Sequence, residues 1–122
     1  MGVKLIKISV IYFTIGVLLG LYMSMGHNYE LKGVHVHINL IGWTSFALAG
    51  FVYHLFPITT KNLYAKLHFW SGNIGLPLMM IALTALILSG NEQATIFVAI
   101  GGVLVVFSTI MFALNVLLNV RS

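Results

Sequence analysis

The chain has 122 residues, 60% of them hydrophobic and only 7% charged. That composition excludes a water-soluble domain, and the lack of cysteine excludes disulfides, thiolate metal sites and covalent c-type heme. Six cations against two acids leave a net charge of +4, which in so apolar a chain speaks to topology, not to nucleic acid.

A helix needs about 20 apolar residues to cross a bilayer. Four stretches meet that length, at about 5–25, 35–56, 64–88 and 95–118. The expected fold is all-α, one integral membrane four-helix bundle with short connections. Lys4 and Lys7 lead into the first span. Its apolar run is long for a signal core, and Tyr22-Met23-Ser24-Met25-Gly26 is a poor cleavage context, so it is expected to stay as a span. Gly26 to Gly33 forms a polar, glycine-bounded turn. The second span opens on His35-Val36-His37 and carries Gly42, Ser45, Ala49 and Gly50. Pro57 ends it, because proline clashes with a continuing helix. The third span holds His68, the small-x-x-x-small pair Ser71 and Gly75, and Pro77, which removes a hydrogen bond to the carbonyl of Asn73 and is expected to kink the helix. Gly90-Asn91-Glu92-Gln93 is the last turn. The fourth span has only Thr95, Ser108, Thr109, Asn115 and Asn119 as notable polar residues. Small residues let helices, or a flat cofactor, approach closely, and plain helix packing is the commoner use.

Charge sets the expected orientation. Lys4, Lys7, Lys61, Lys66 and Arg121 flank the termini and the middle loop, whereas the other two loops hold Glu30 with Lys32, and Glu92. The positive-inside rule then puts both termini inside; the expected location is the cytoplasmic membrane of a prokaryote. His27, His35 and His37 fall at the outer face, and His54 and His68 in the inner half.

Imidazole is costly in hydrocarbon, so histidines at a membrane span are functional candidates. Residues i and i+2 of a helix point about 200° apart. His35 and His37 therefore suit two different pockets better than one shared ion. His37 shares its stripe with Thr44 and Leu48. Neutral imidazole is the usual axial ligand of b-type heme and also suits copper. The plainer reading is a pair of hydrated interfacial side chains. His54 and His68 lie at similar depth, so an inner His54/His68 site competes with simple anchoring beside Tyr53, Lys66 and Trp70. Met23, Met25 and His27, with His35 and His37, offer thioether and imidazole donors of the kind that select copper, against the commoner packing role of methionine. Glu30 and Glu92 both sit in turns, so paired-carboxylate chemistry lacks its parts.

Val34-His35-Val36-His37-Ile38-Asn39-Leu40, then Ala49-Gly50-Phe51-Val52-Tyr53-His54-Leu55-Phe56-Pro57, then Ala65-Lys66-Leu67-His68-Phe69-Trp70 resemble subunit I of the heme-copper oxidases, at its tenth and eleventh helices. The His37-Ile38-Asn39-Leu40 segment also resembles the nitric oxide reductase relatives. The likeness covers about half the chain. It implies that His35 faces a high-spin heme and His37 a low-spin heme. Subunit I has twelve helices and a histidine copper site, neither of which this chain holds. Its helices form three arcs of four, with metal ligands on the second helix of each. A four-helix chain with histidines on its second helix looks like one arc, and a homotrimer would rebuild the ring.

The resemblance thus implies a heme b-binding membrane protein serving electron transfer, gas (O2 or NO) binding or heme handling, with a redox partner. His37 is the first axial-ligand candidate and His35 the second. His68 and His27 are candidate second ligands. One chain lacks a complete oxygen-reducing site of the oxidase kind, so whether it is an enzyme stays open; if it is, it would be an oxidoreductase. Two other readings stay open. One is a copper-binding protein using Met23, Met25, His27, His35, His37 and His54. The other is a cofactor-free structural or assembly subunit.

Overall fold

The computed structural model describes residues 1–121. Four helices account for nearly all of them: α1 (Gly2–Gly26), α2 (Lys32–Leu55), α3 (Leu63–Ser89) and α4 (Ala94–Asn119), each long and apolar enough to cross a membrane. Every helix end lies within three residues of its expected position, the widest gaps being 2 against 5 and 32 against 35. No strand occurs among the described residues.

Local chemistry explains the ends. His27 adopts the left-handed conformation (φ 47°) and its N–H closes α1 on the Met23 and Ser24 carbonyls. The Asn62 side chain accepts from the Ala65 N–H at 3.0 Å, capping α3. Gly90, at φ 65°, closes α3 on the Leu86 carbonyl. Pro57 opens a single 3-10 turn, Pro57–Thr60. α3 runs unbroken past Pro77. The Asn73 side chain donates to the Phe69 carbonyl at 2.7 Å, one turn back.

α2 is not uniform. It is α-helical over Lys32–His37, π-helical over Ile38–Ser45 and α-helical again over Phe46–Leu55. The π stretch begins immediately after the His-x-His pair. Such widened turns are rare and are frequent at functional sites.

The helices pack as two antiparallel hairpins, α1 on α2 and α3 on α4, which meet along α2 and α3. Glycines set both hairpins. A Cβ on Gly42 would lie 2.5 Å from the Tyr12 ring, and one on Gly50 would lie 2.9 Å from the Gly2 carbonyl oxygen. A Cβ on Gly75 would lie 2.6 Å from the Leu104 Cβ. Gly42, Gly50 and Gly75 thus let neighbouring helices come close. Leu5, Phe46, Tyr53, Leu76 and Val105 fill the interior, and the outer faces of α1 and α4 expose Ile11, Leu18, Val103 and Leu117, as lipid contact requires.

Gly2 packs under His54, and Asn62 bonds Asn115. The start of α1, the turn after α2 and the end of α4 therefore share one end of the bundle, and Lys4, Lys7, Lys61, Lys66 and Arg121 lie there together. Asn115, fully buried, ties this end. It donates to the Thr59 carbonyl at 2.8 Å and accepts from Asn62 at 2.8 Å and Asn119 at 3.0 Å. Asn115→Leu removes these three bonds at once, and only the weaker contacts of Asn62 with the Thr59 carbonyl at 3.2 Å and of Asn119 with the backbone carbonyl of residue 115 at 3.1 Å remain. The substitution is expected to cost about 1–3 kcal/mol, read as a lower midpoint in detergent unfolding, and an unchanged midpoint would show the network to be dispensable.

Candidate functional site

His35 and His37 are both half-buried. His35 turns toward α1, where its Nδ1–H donates to the Gly16 carbonyl at 2.9 Å. Its ring lies over Gly20, since a Cβ there would come within 2.9 Å of the imidazole Cε1. Asn39 braces the same turn by donating to the His35 carbonyl at 2.9 Å. His37 is held within its own helix, its Nδ1–H donating to the Gly33 carbonyl at 2.7 Å. A carbonyl can only accept, so each Nδ1 carries the proton and each Nε2 keeps its lone pair. That tautomer leaves Nε2 available to a metal, and the bond at the opposite nitrogen holds the ring in place.

His68 is 4% exposed. Its Nδ1 is 2.8 Å from the Tyr53 hydroxyl, and Ser108 donates to its carbonyl at 2.8 Å. Phe46, Tyr53 and Phe112 surround the ring, with centroids 6.5, 5.5 and 5.0 Å away. Of the two readings left open for the inner histidines, the His54/His68 site is not formed, and His68 meets Tyr53 instead. Tyr53 follows Phe46 and Ala49 on the buried face of α2, and the next residue, His54, points out. The signal was in the sequence: Ala49 and Tyr53 are four apart, on the face already marked by small residues.

Beside His68 lies a cavity of about 190 Å³, walled by Ile41, Phe46, Leu48, Ser108 and Phe112 among others. Cofactor pockets run roughly 300–1,000 Å³, so this space does not hold a heme macrocycle within one chain. The α2 pair does fit a heme as a donor set, because both imidazoles offer an Nε2 lone pair and neither ring is sealed inside the bundle.

The remaining candidates are dispersed. His27 and Met25 are exposed at the end of α1, and Met23 is buried in the core. His54 is exposed at the opposite end of the bundle from His27 and the His-x-His pair. Among the described residues, no three His, Cys, Asp or Glu side chains gather as a metal site. No family model, curated protein or solved structure matches the chain.

Proposed function

We propose that the chain is a heme b-binding membrane protein of the oxidase subunit I kind, in which a homotrimer of four-helix arcs lines its heme sites with the His35 and His37 of each second helix. The observation that carries the reading is the approach of each Nδ1 to a backbone carbonyl, at 2.9 Å for His35 and 2.7 Å for His37. Both Nδ1 atoms are pinned by backbone carbonyls, so both Nε2 atoms are ready to ligate. Heme, when bound, supplies a one-electron couple and a site for a diatomic gas. The chain's own residues orient it. Gly16 and Gly33 fix the two rings, Asn39 braces the turn between them, and the apolar outer faces exclude water. His37, free of any contact with a neighbouring helix through its Nδ1, is the stronger ligand, and His35 serves the α1 side. The basic end of the bundle faces the cytoplasm, which places the pair near the outer face.

The test is a visible spectrum of protein expressed with ample heme. A Soret band is expected, and His37→Ala should abolish it or shift it strongly, with His35→Ala acting on the same spectrum. His54→Ala, at an exposed position, should leave it unchanged. Native mass spectrometry in mild detergent should give trimers. A protein without a Soret band, or one that keeps the same band without His37, would falsify the reading.

A further inference from the structure

We infer that the cavity beside His68 is a binding site for the head of a lipid-soluble quinone. It lies apart from the His35/His37 pair and does not rest on the heme reading.

The argument begins with a proton. Tyr53 is 2% exposed, and its hydroxyl has two side-chain partners, the His68 Nδ1 at 2.8 Å and Asn115, whose Oδ1 already accepts from Asn62 and Asn119 and whose amide therefore donates, which leaves Nδ1 as the one acceptor. A hydroxyl proton left without an acceptor in the core is expensive. Tyr53 therefore donates, Nδ1 accepts, and the proton of the neutral imidazole resides on Nε2. Among the described residues that Nε2–H has no hydrogen-bond partner, and His68 is more than nine-tenths buried and lines the cavity.

The other polar groups on the wall are already committed as donors. Ser45 donates to the Leu40 carbonyl at 2.7 Å, Ser108 to the His68 carbonyl at 2.8 Å and Thr109 to the Val105 carbonyl at 3.0 Å. The cavity thus presents one unspent N–H in a wall that is otherwise aromatic and aliphatic. Its complement is a mostly apolar molecule with a single strong acceptor, and Phe46 and Phe112 suit a flat ring.

Access points to the bilayer. Leu48 of α2 and Thr109 of α4 line the cavity and are also exposed on the outside of the bundle. Both sit well inside their helices, so the mouth opens sideways into lipid. His68 is the sixth residue of α3, about 8 Å from the helix start at 1.5 Å per residue. A ring that enters laterally, keeps its tail in lipid and sets one carbonyl oxygen on Nε2–H meets every one of these constraints. The cavity of about 190 Å³ exceeds what a diatomic gas fills and falls short of a porphyrin.

The test uses the full chain as purified, in phosphatidylcholine nanodiscs, titrated with decyl-benzoquinone against empty nanodiscs. Saturable binding of one quinone per chain is expected above the partition background. His68→Phe, which keeps a ring and removes the donor, should weaken binding about tenfold. Thr109→Phe, on the lipid-facing mouth where folding is not at risk, should abolish it. Quinone uptake indistinguishable from empty nanodiscs would overturn the proposal, as would equal binding by wild type and Thr109→Phe. Cavity density that belongs only to water would do the same. Because heme is read by its Soret band and quinone by titration, failure of either leaves the other standing.

Discussion

Gly101→Leu is expected to separate α3 from α4. A Cβ at Gly101 would lie 2.6 Å from the Met79 amide nitrogen and 2.7 Å from the Gly75 carbonyl oxygen. Both are backbone atoms, so no rotamer change relieves the clash. The two helices must move apart along their whole contact, and the packing around Gly72, Gly75 and Val105 goes with it. In a membrane, helix association rests on close van der Waals packing, because lipid is as apolar as the helix faces. The cost should exceed the roughly 1–3 kcal/mol of ordinary overpacking. The adjacent position supplies the control. A Cβ at Gly102 would meet only the Met79 sulfur, at 3.6 Å, so Gly102→Leu should be tolerated. Detergent unfolding of the two variants checks the pair. Equal midpoints would show that the α3–α4 contact does not depend on glycine at 101.

The same packing logic divides what the residues disclose from what they hide. Hydropathy located the four spans because lipid demands continuous apolar helices, a constraint written in consecutive residues. The turns were legible for a similar reason: Pro57 and Gly90 act locally. The tertiary partners were not. Nothing within α2 states that the Gly16 carbonyl, 19 residues upstream, receives the His35 proton. Nothing within α3 states that Tyr53, not His54, meets His68, since one residue of register decides it. The reading of opposed directions for His35 and His37 needed only helical geometry, and the observed bonds run one to α1 and one within α2. The π-helical stretch left no mark in composition. It arises where two halves of one helix satisfy neighbours at different rotations, and that conflict exists only in three dimensions.

The π stretch makes the last expected result a sharp one. Deleting the exposed Thr44 should destroy the proposed heme site while leaving four apolar spans. A π turn carries an extra residue within an otherwise α-helical run. Removing one residue from Ile38–Ser45 lets α2 close into a regular α-helix and rotates its two halves by about 100° relative to each other. The half after the stretch is fixed by Phe46, Ala49, Gly50 and Tyr53, all buried against neighbouring helices. The half before it is fixed by Val34 and by the His35 bond to Gly16. A regular helix cannot meet both sets. The shorter and more polar contact gives way first, so His35 should swing off Gly16 and Gly20, and His37 should turn with it. The Soret band is then expected to fall to the level of the His37→Ala variant, while circular dichroism retains full helix content. Thr44→Ala, which preserves the residue count at the same exposed position, should keep both the spectrum and the unfolding midpoint of the wild type. A Thr44 deletion with an unchanged spectrum would show that the rotation built into α2 does not aim the histidine pair.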